Sequence, residues 1–230
     1  SAGCIVNDIL DRKFDKKVSR TKNRPIASRK VSIPIGLFYV SALCLLAFLV
    51  LINFNYFTVL IALASMPLAF TYPLMKRFTY WPQLFLGITF NYGLILGWTS
   101  ITKQIDIIPI IFYLGAIFWT LGYDTIYGYQ DIKDDEIIGL KSTSIKFKGA
   151  AKLFLITCYL ILTFSLIIGG YLMNFDLLYF LFLIIPTAHL FLYQIKTFNL
   201  NDPNTCLKIF KNNNYFGLII FINIFIGKIL

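Results

Sequence analysis

Seven apolar runs, at approximately 33–52, 57–74, 82–99, 107–128, 152–172, 175–197 and 214–230, decide the class of this 230-residue chain. Each is close to the roughly 17 to 25 residues that cross a hydrocarbon core. Inside lipid a backbone must satisfy its own polar groups, so only helices and closed barrels span it. The runs are Leu, Ile and Phe throughout, without the Val and Thr alternation of strands, and therefore read as helices. Composition agrees: the chain is 58% hydrophobic and 14% charged, against roughly 45–50% and 25% in soluble domains. We expect an all-α, polytopic membrane protein with one transmembrane domain over 1–230.

A net charge of +10 suggests nucleic acid until its placement is examined. Nine basic residues lie between Arg12 and Lys30, two are Lys76 and Arg77, five lie between Lys133 and Lys152, and three are Lys196, Lys208 and Lys211. These four alternating connections hold 19 of the 21 Lys and Arg, leaving Lys103 and Lys228 for the other side. That is the positive-inside pattern and assigns the four connections to the cytoplasmic face. Topology and attraction to anionic lipid account for the charge, so the expected partner is a lipid bilayer and not nucleic acid.

Two acidic clusters open onto that basic face. Asn7, Asp11 and Asp15 recur every four residues, with Asp8 beside them, and Tyr127, Asp131 and Asp135 recur in the same way, after Asp124 and with Asp134 adjacent. In helices each triplet shares one face. A shift of 120 residues superposes the triplets, while a shift of 116 lays Asp8 and Asp15 on Asp124 and Asp131. Either offset suggests a parallel internal repeat with one cluster per half. Carboxylates at a bilayer boundary repel one another unless cations neutralise them, and are functional candidates for that reason. Mg2+ prefers oxygen donors and commonly bridges one or two carboxylates to a substrate phosphate. Two facing clusters would hold such ions around a diphosphate and ease its departure.

The remaining candidates carry two readings each. Lys76 and Arg77, closing the run Tyr72-Pro73-Leu74-Met75, are either helix-end anchors or ligands for a diphosphate or carboxylate, for which Arg77 offers a bidentate fork. Arg24 and Lys141 share that ambiguity. Asp106, Asp176 and Asp202 are isolated loop acids, and His189 reads as a packed, hydrogen-bonded residue. The cysteines, Cys4, Cys44, Cys158 and Cys206, have no zinc or disulfide spacing.

These motifs resemble a known family. Asn7-Asp8-Ile9-Leu10-Asp11-Arg12-Lys13-Phe14-Asp15 with Arg20-Thr21-Lys22-Asn23-Arg24-Pro25 resembles the first aspartate-rich motif and following loop of the UbiA intramembrane prenyltransferases. Tyr123-Asp124-Thr125-Ile126-Tyr127 through Asp131-Ile132-Lys133-Asp134-Asp135 to Gly139-Leu140-Lys141-Ser142-Thr143 resembles the second. Tyr72-Pro73-Leu74-Met75-Lys76-Arg77 resembles the branch acting on 4-hydroxybenzoate. The resemblance implies a helical bundle of nine transmembrane helices around a central cavity, of which seven full spans and part of another are present here. It implies Mg2+ as cofactor and transfer of a polyprenyl group from polyprenyl diphosphate to the ring carbon ortho to the phenol of 4-hydroxybenzoate, in ubiquinone synthesis. By motif, Asn7, Asp8, Asp11, Asp15, Asp124, Asp131 and Asp135 would serve the metal, with Asp11, Asp131 and Arg77 catalytic. Arg24, Tyr72, Lys76, Arg77, Tyr127 and Lys141 would bind substrate. The expected site is cytoplasm-facing, in a bacterial inner membrane or alternatively a mitochondrial one.

Other acceptors within that class are a naphthoate, a homogentisate or a haem, and a cation-coupled transporter would also gather intramembrane acids. A transporter predicts a midplane site and often inverted repeats, whereas these clusters sit at one face in a parallel repeat. Ser1 begins without an initiator Met, and residues 1–8 are too short to span at roughly 1.5 Å per residue. We therefore expect an N-terminally truncated domain with further sequence upstream.

Overall fold

A computed structural model describes residues 2–18 and 20–229. Among these residues the structure is helical, without strands, and contains seven helices long and apolar enough to cross a membrane. They run over 33–51, 56–78, 82–102, 107–128, 148–172, 177–195 and 203–228. The runs read from hydropathy recur, with shifted ends. The last begins at Pro203, eleven residues earlier than its apolar stretch, because a polar turn of helix that includes Lys208 and Lys211 precedes the apolar part.

The chain divides into two compact units. The first comprises Ser1–Gln104 and Asp131–Ser142. It contains α1 (Ala2–Asp15), α2 (Ile33–Leu51), α3 (Tyr56–Thr71), α4 (Met75–Phe78), α5 (Pro82–Phe90), α6 (Tyr92–Thr102) and α8 (Ile132–Ile138). Ser32 caps α2, and Asn55 caps α3 by accepting from the Thr58 amide at 3.0 Å. The same Asn55 amide donates to the Thr99 carbonyl at 2.9 Å, and the Thr58 and Thr99 hydroxyls meet at 3.1 Å, which pins α3 to α6. Pro67 lies within α3, and a 3-10 turn at Tyr72–Leu74 separates α3 from α4. That turn re-aims the chain where Lys76 and Arg77 emerge.

The second unit comprises Ile105–Gln130 and Thr143–Leu230. It contains α7 (Ile107–Gly128), α9 (Thr143–Lys146), α10 (Ala151–Leu172), α11 (Leu177–Phe182), α12 (Ile184–Ala188), a π-helical segment (His189–Ile195) and α13 (Pro203–Ile229). Asp106 caps α7 by accepting from the Ile108 amide at 2.8 Å, and Asp202 accepts from the Asn204 amide at 3.0 Å at the start of α13. These two isolated acids are helix caps. Buried polar groups join four elements: the Tyr159 hydroxyl donates to Gln194 at 2.6 Å, Gln194 to Asn213 at 3.2 Å, and the Trp119 indole to Asn213 at 2.8 Å. His189, 3.4 Å from Gln194 and against the Tyr193 ring, is packed and hydrogen-bonded as its sequence context implied.

α7 and α10 approach closely through glycine. A Cβ on Gly122 would lie 2.7 Å from the Tyr159 ring, and one on Gly115 would lie 2.7 Å from Ser165 Cβ. Small residues let membrane helices meet backbone to backbone. Tyr159 is 0% exposed and held by Gln194, so it has nowhere to go. Gly122→Ala should therefore lower stability by about 1–3 kcal/mol. Gly93→Ala, whose Cβ meets nothing within 4 Å, should be neutral or stabilising by a few tenths of a kcal/mol, as expected for a helical glycine. Thermal unfolding of both variants in detergent checks this, and equal shifts would contradict the close-packing account.

Candidate functional site

The first acidic motif occupies the C-terminal two turns of α1. Asp11 and Asp15 are its buried residues, at 1% and 6% exposure, while Asn7 and Asp8 are half-buried. The carboxylates are paired by bases from two other stretches. Lys76 donates to Asp11 Oδ2 at 2.5 Å. Arg24 Nη1 donates to Asp8 at 2.9 Å and to Asp15 Oδ2 at 3.3 Å, one guanidinium serving two carboxylates seven residues apart. Arg24 reaches them because the 16–32 connection folds back on itself. Its turns run Thr21 amide to Val18 carbonyl at 3.1 Å, Arg24 to Thr21 at 2.9 Å and Ser28 to Arg24 at 2.8 Å, with Val18, Ile26 and Ala27 buried beneath.

The second motif departs from the expected continuous helix. α7 ends at Gly128, and Asp131 is the N-cap residue of a separate helix, α8. Tyr127, Asp131 and Asp135 consequently do not share one helical face. The break coincides with Gly128, a weak helix former, and with Tyr129, whose ring is buried against Phe198. Asp131 makes no cap hydrogen bond with its side chain, because its carboxylate is gripped by the Arg20 fork: Nε lies 3.0 and 2.9 Å from the two oxygens, and Nη2 also pairs with it. Arg20 joins residues 111 apart in sequence. It was not singled out as a site residue from the sequence, where it is one of nine basic residues in its connection.

Asp131, Asp134 and Asp135 thus belong to the same unit as Asp8, Asp11 and Asp15, whereas Asp124 and Tyr127 belong to the second unit. There Tyr127 packs on Phe210 with ring centroids 4.2 Å apart, and Tyr123 lies between Trp119 and Phe210 at 5.3 and 5.7 Å. Tyr72 sits half-buried in the 3-10 turn. Lys141 donates its amide to the Lys76 carbonyl at 2.9 Å and its ammonium to the Phe78 carbonyl at 3.2 Å, which fixes the stretch after α8 beside α4. Gly139 makes the turn into that stretch at φ 78°, a conformation that favours glycine.

Arg77 is largely committed to positioning. Nη2 donates to the Leu10 carbonyl at 2.7 Å, and the guanidinium lies 5.2 Å from the Phe14 ring centroid. It stands 3.7 Å from Asp11 Oδ1 without hydrogen-bonding it. Its Nε is buried without a partner, as is that Oδ1. One guanidinium edge thus holds α1 while another polar atom is left unsatisfied.

Electrostatics mark three carboxyls outside the spans as strained in their ionised forms, the first being Asp8, which burial raises with Arg24 opposing. Burial pushes Asp11 above the usual carboxylate range, with Lys76 opposing the rise. Asp135 is pushed up to about 6, first by burial and then by the neighbouring Asp131, with Lys76 pulling the other way. Lys76 therefore acts on both motifs. Among the described residues, no three or more His, Cys, Asp or Glu side chains already converge as a metal cage. The donor chemistry nevertheless fits a hard cation: the groups are carboxylate oxygens, Asp11 Oδ1 is buried without a hydrogen bond, and Asp135 is raised first by burial and then by the neighbouring Asp131.

The comparisons point the same way. The sequence profile of the UbiA prenyltransferase family matches residues 1–224. A 4-hydroxybenzoate geranyltransferase 2 of Lithospermum erythrorhizon is 42% identical over 99% of this chain and 74% of its own length. A mitochondrial 4-hydroxybenzoate polyprenyltransferase of Bos taurus is 42% identical over 99% of this chain. The chain spans 62% of that protein's length. The solved structure of a UbiA homologue from Archaeoglobus fulgidus, bound to GPP and Mg2+, shares the fold with a TM-score of 0.73 at 18% identity, over 99% of this chain and 83% of that one.

The Arg77 geometry carries its own test. Lysine keeps a positive helix end but cannot reproduce the hydrogen bond to Leu10 and the stacking on Phe14 together. Hydrogen bonds from charged groups contribute about 1.5–3 kcal/mol. Arg77→Lys should raise amide exchange across the C-terminal half of α1 by about ten-fold or more, with membrane orientation unchanged. Parent-like protection of α1 would show that Arg77 does not hold this helix.

Proposed function

This chain belongs to the UbiA prenyltransferase family, and we propose that it transfers a polyprenyl group from polyprenyl diphosphate to 4-hydroxybenzoate, at the ring carbon ortho to the phenol. The observation that supports this most is the gathering of Asp8, Asp11, Asp15, Asp131 and Asp135 with Lys76, Arg77, Arg20 and Arg24 in one compact unit. Relatives named for 4-hydroxybenzoate at 42% identity favour this acceptor over a naphthoate, a homogentisate or a haem. The protein is a multi-pass membrane enzyme, and the mitochondrial names of relatives favour a mitochondrial inner membrane and a place in ubiquinone synthesis.

In the proposed reaction the allylic carbon–oxygen bond of the donor breaks, diphosphate departs with the electron pair, the ring carbon forms the new carbon–carbon bond, and the ring proton is lost. Asp8, Asp11, Asp15, Asp131 and Asp135, with Asn7 beside them, would hold Mg2+, which when bound neutralises charge on the departing diphosphate. Lys76 and Arg77 present an ammonium and an unpartnered Nε where the acids gather, and would exchange carboxylate partners for diphosphate oxygens. Arg24 pairs with Asp8 and Asp15 and fixes both carboxylates in place. Arg20 and Lys141 hold the second motif in place, one through Asp131 and the other through the backbone of α4.

The direct test incubates membranes carrying the protein with a polyprenyl diphosphate, magnesium and a panel of aromatic acceptors, and identifies products by mass. A prenylated 4-hydroxybenzoate is expected, and product only with another acceptor would overturn the reading. Asp11→Ala and Asp131→Ala should each remove most turnover while the protein remains inserted, as chelation should in the parent.

Asp135 adds a pH signature. Because its carboxyl is raised to about 6 in the fold, it is protonated below that pH, and a proton then competes with the cation. The magnesium concentration giving half-maximal rate should rise about ten-fold from pH 7 to pH 5. The sign for stability is the reverse: without metal, folding binds a proton between the ordinary carboxylate value and 6, so stability falls as pH rises through that window. Asp135→Asn should flatten both dependences. A parent whose magnesium requirement is constant over this range would exclude Asp135 from the cation site.

A further inference from the structure

Asp131 differs from the neighbouring acids in what already occupies it. Both of its oxygens accept from one guanidinium: Arg20 Nε lies 3.0 Å from Oδ1 and 2.9 Å from Oδ2, and Nη2 also pairs with Oδ2. Asp11 instead keeps Oδ1 without a hydrogen bond. Among the described residues, no hydrogen bond reaches the Asp135 carboxylate. A cation can therefore approach Asp11 Oδ1 and Asp135 without displacing a donor, whereas at Asp131 it meets a positive charge on both oxygens. Like charges on one carboxylate repel, so a divalent ion and the Arg20 fork exclude each other there.

The surroundings let Arg20 withdraw without unfolding either neighbour. Arg20 is exposed, on the outer side of a connection whose inner side is fixed by buried Val18, Thr21, Ile26 and Ala27. The Thr21 hydroxyl donates to the Asp15 carbonyl at 3.1 Å and the Lys22 amide to the Val18 carbonyl at 3.0 Å. Arg24, four residues further on, stays with the first motif through Asp8 and Asp15. The stretch after α8 keeps its own attachment, the Lys141 amide and ammonium donating to the Lys76 and Phe78 carbonyls at 2.9 and 3.2 Å. The Arg20 to Asp131 pair itself is open to water on the arginine side, and such pairs are weakly held.

We propose that Arg20 is an inhibitory occupant of Asp131: it holds the carboxylate in the free protein, must be displaced before a divalent cation binds there, and so sets the affinity of the cation site. The role rests on Asp131 being a cation ligand, as in the reaction above. It adds that this arginine opposes the cation. A purely positioning arginine would act with the opposite sign, because its removal would leave Asp131 misdirected and weaken cation binding. The sign of one substitution therefore separates the two roles.

Binding of Mn2+ alone to the purified protein in a neutral detergent, read from loss of the free-ion electron paramagnetic resonance signal, provides the test. Arg20→Gln should tighten binding by about five-fold, the contribution of one partly exposed ion pair. Arg20→Lys, which keeps a charge but not the fork, should fall between that variant and the parent. Arg20→Gln/Asp131→Asn should bind no more tightly than Asp131→Asn, since the arginine acts through that carboxylate. The parent gives a second reading: with isotope-labelled arginine, the Arg20 Nε–H resonance, assigned by its loss in Arg20→Lys, should move as Mg2+ is added. Unchanged or weaker Mn2+ binding by Arg20→Gln would overturn the inhibitory role, as would an unmoved resonance at saturating Mg2+. Tightening that persists beside Asp131→Asn would also overturn it, by assigning the effect to general charge. Parent-like Mn2+ binding by Asp131→Asn would instead remove Asp131 from the cation site and overturn the reading on which the role rests.

Discussion

Withdrawing a carboxylate from water costs several kcal/mol unless a positive group stands beside it, and the first unit is organised by that requirement. Asp11 is almost fully buried, so Lys76 must reach it. Lys76 does so because the span over Tyr56–Phe78 tightens into a 3-10 turn at Tyr72–Leu74 just before it. Asp8 and Asp15 require Arg24, and the 16–32 connection is folded rather than extended because that arginine has to return to α1. Asp131 requires Arg20, which ties the same connection to α8. Each neutralising contact joins a different stretch of chain, so local charge balance also specifies the tertiary arrangement of this unit.

Those contacts differ in how easily they can be exchanged. Side chains of Arg20 and Arg24 are 37% and 32% exposed, and pairs reaching water contribute little net stability, of the order of 1 kcal/mol or less. Lys76 against Asp11 is the more deeply buried pair, and removing either partner alone would strand the other. A polyvalent cation with an anionic substrate replaces both halves of such a pair at once, leaving neither charge alone. This is why bases and acids belong in one cluster for the proposed chemistry. The bases hold the acids in the free protein, and in the proposed reaction they would meet phosphate oxygens once cations take over the carboxylates.

Much of this was legible in the sequence, and what was not has identifiable causes. Span number followed from apolar length, and both acidic motifs from their spacing, because neither depends on distant residues. The placement of Asp131 and Asp135 with the first motif was anticipated as facing clusters, but the helix break at Gly128 was not. Four-residue recurrence continues on paper across a turn whose geometry is set by packing of Tyr129 on Phe198. Arg20 and Arg24 look alike in a basic stretch, and only the fold shows that each takes a different motif. Arg77 carried two readings, helix-end anchor and substrate fork, and one of its nitrogens holds the Leu10 carbonyl, a contact no spacing records. Asp106 and Asp202, set aside as isolated acids, prove to be helix caps, a local role that a sequence does record.

The second unit poses the complementary problem of polar groups that are neutral. Tyr159, Gln194 and Asn213 are buried within membrane-spanning helices, where an unsatisfied amide is costly. The register of α7, α10, the π-helical segment and α13 satisfies all of them together with the Trp119 indole. The π-helical geometry over His189–Ile195 shifts the side-chain directions that an α-helix would give, and Gln194 there faces both its partners. Close contact at Gly122 keeps Tyr159 within reach of that amide. Apolar packing alone tolerates sliding between such helices, since lipid is as favourable as a neighbouring leucine. The hydrogen-bonded set removes that freedom, and with it fixes Trp119 and the rings of Tyr123, Phe210 and Tyr127 that follow it along α7 and α13. Charge balance orders one unit and amide satisfaction the other, and in both a few polar residues set the positions of many apolar ones.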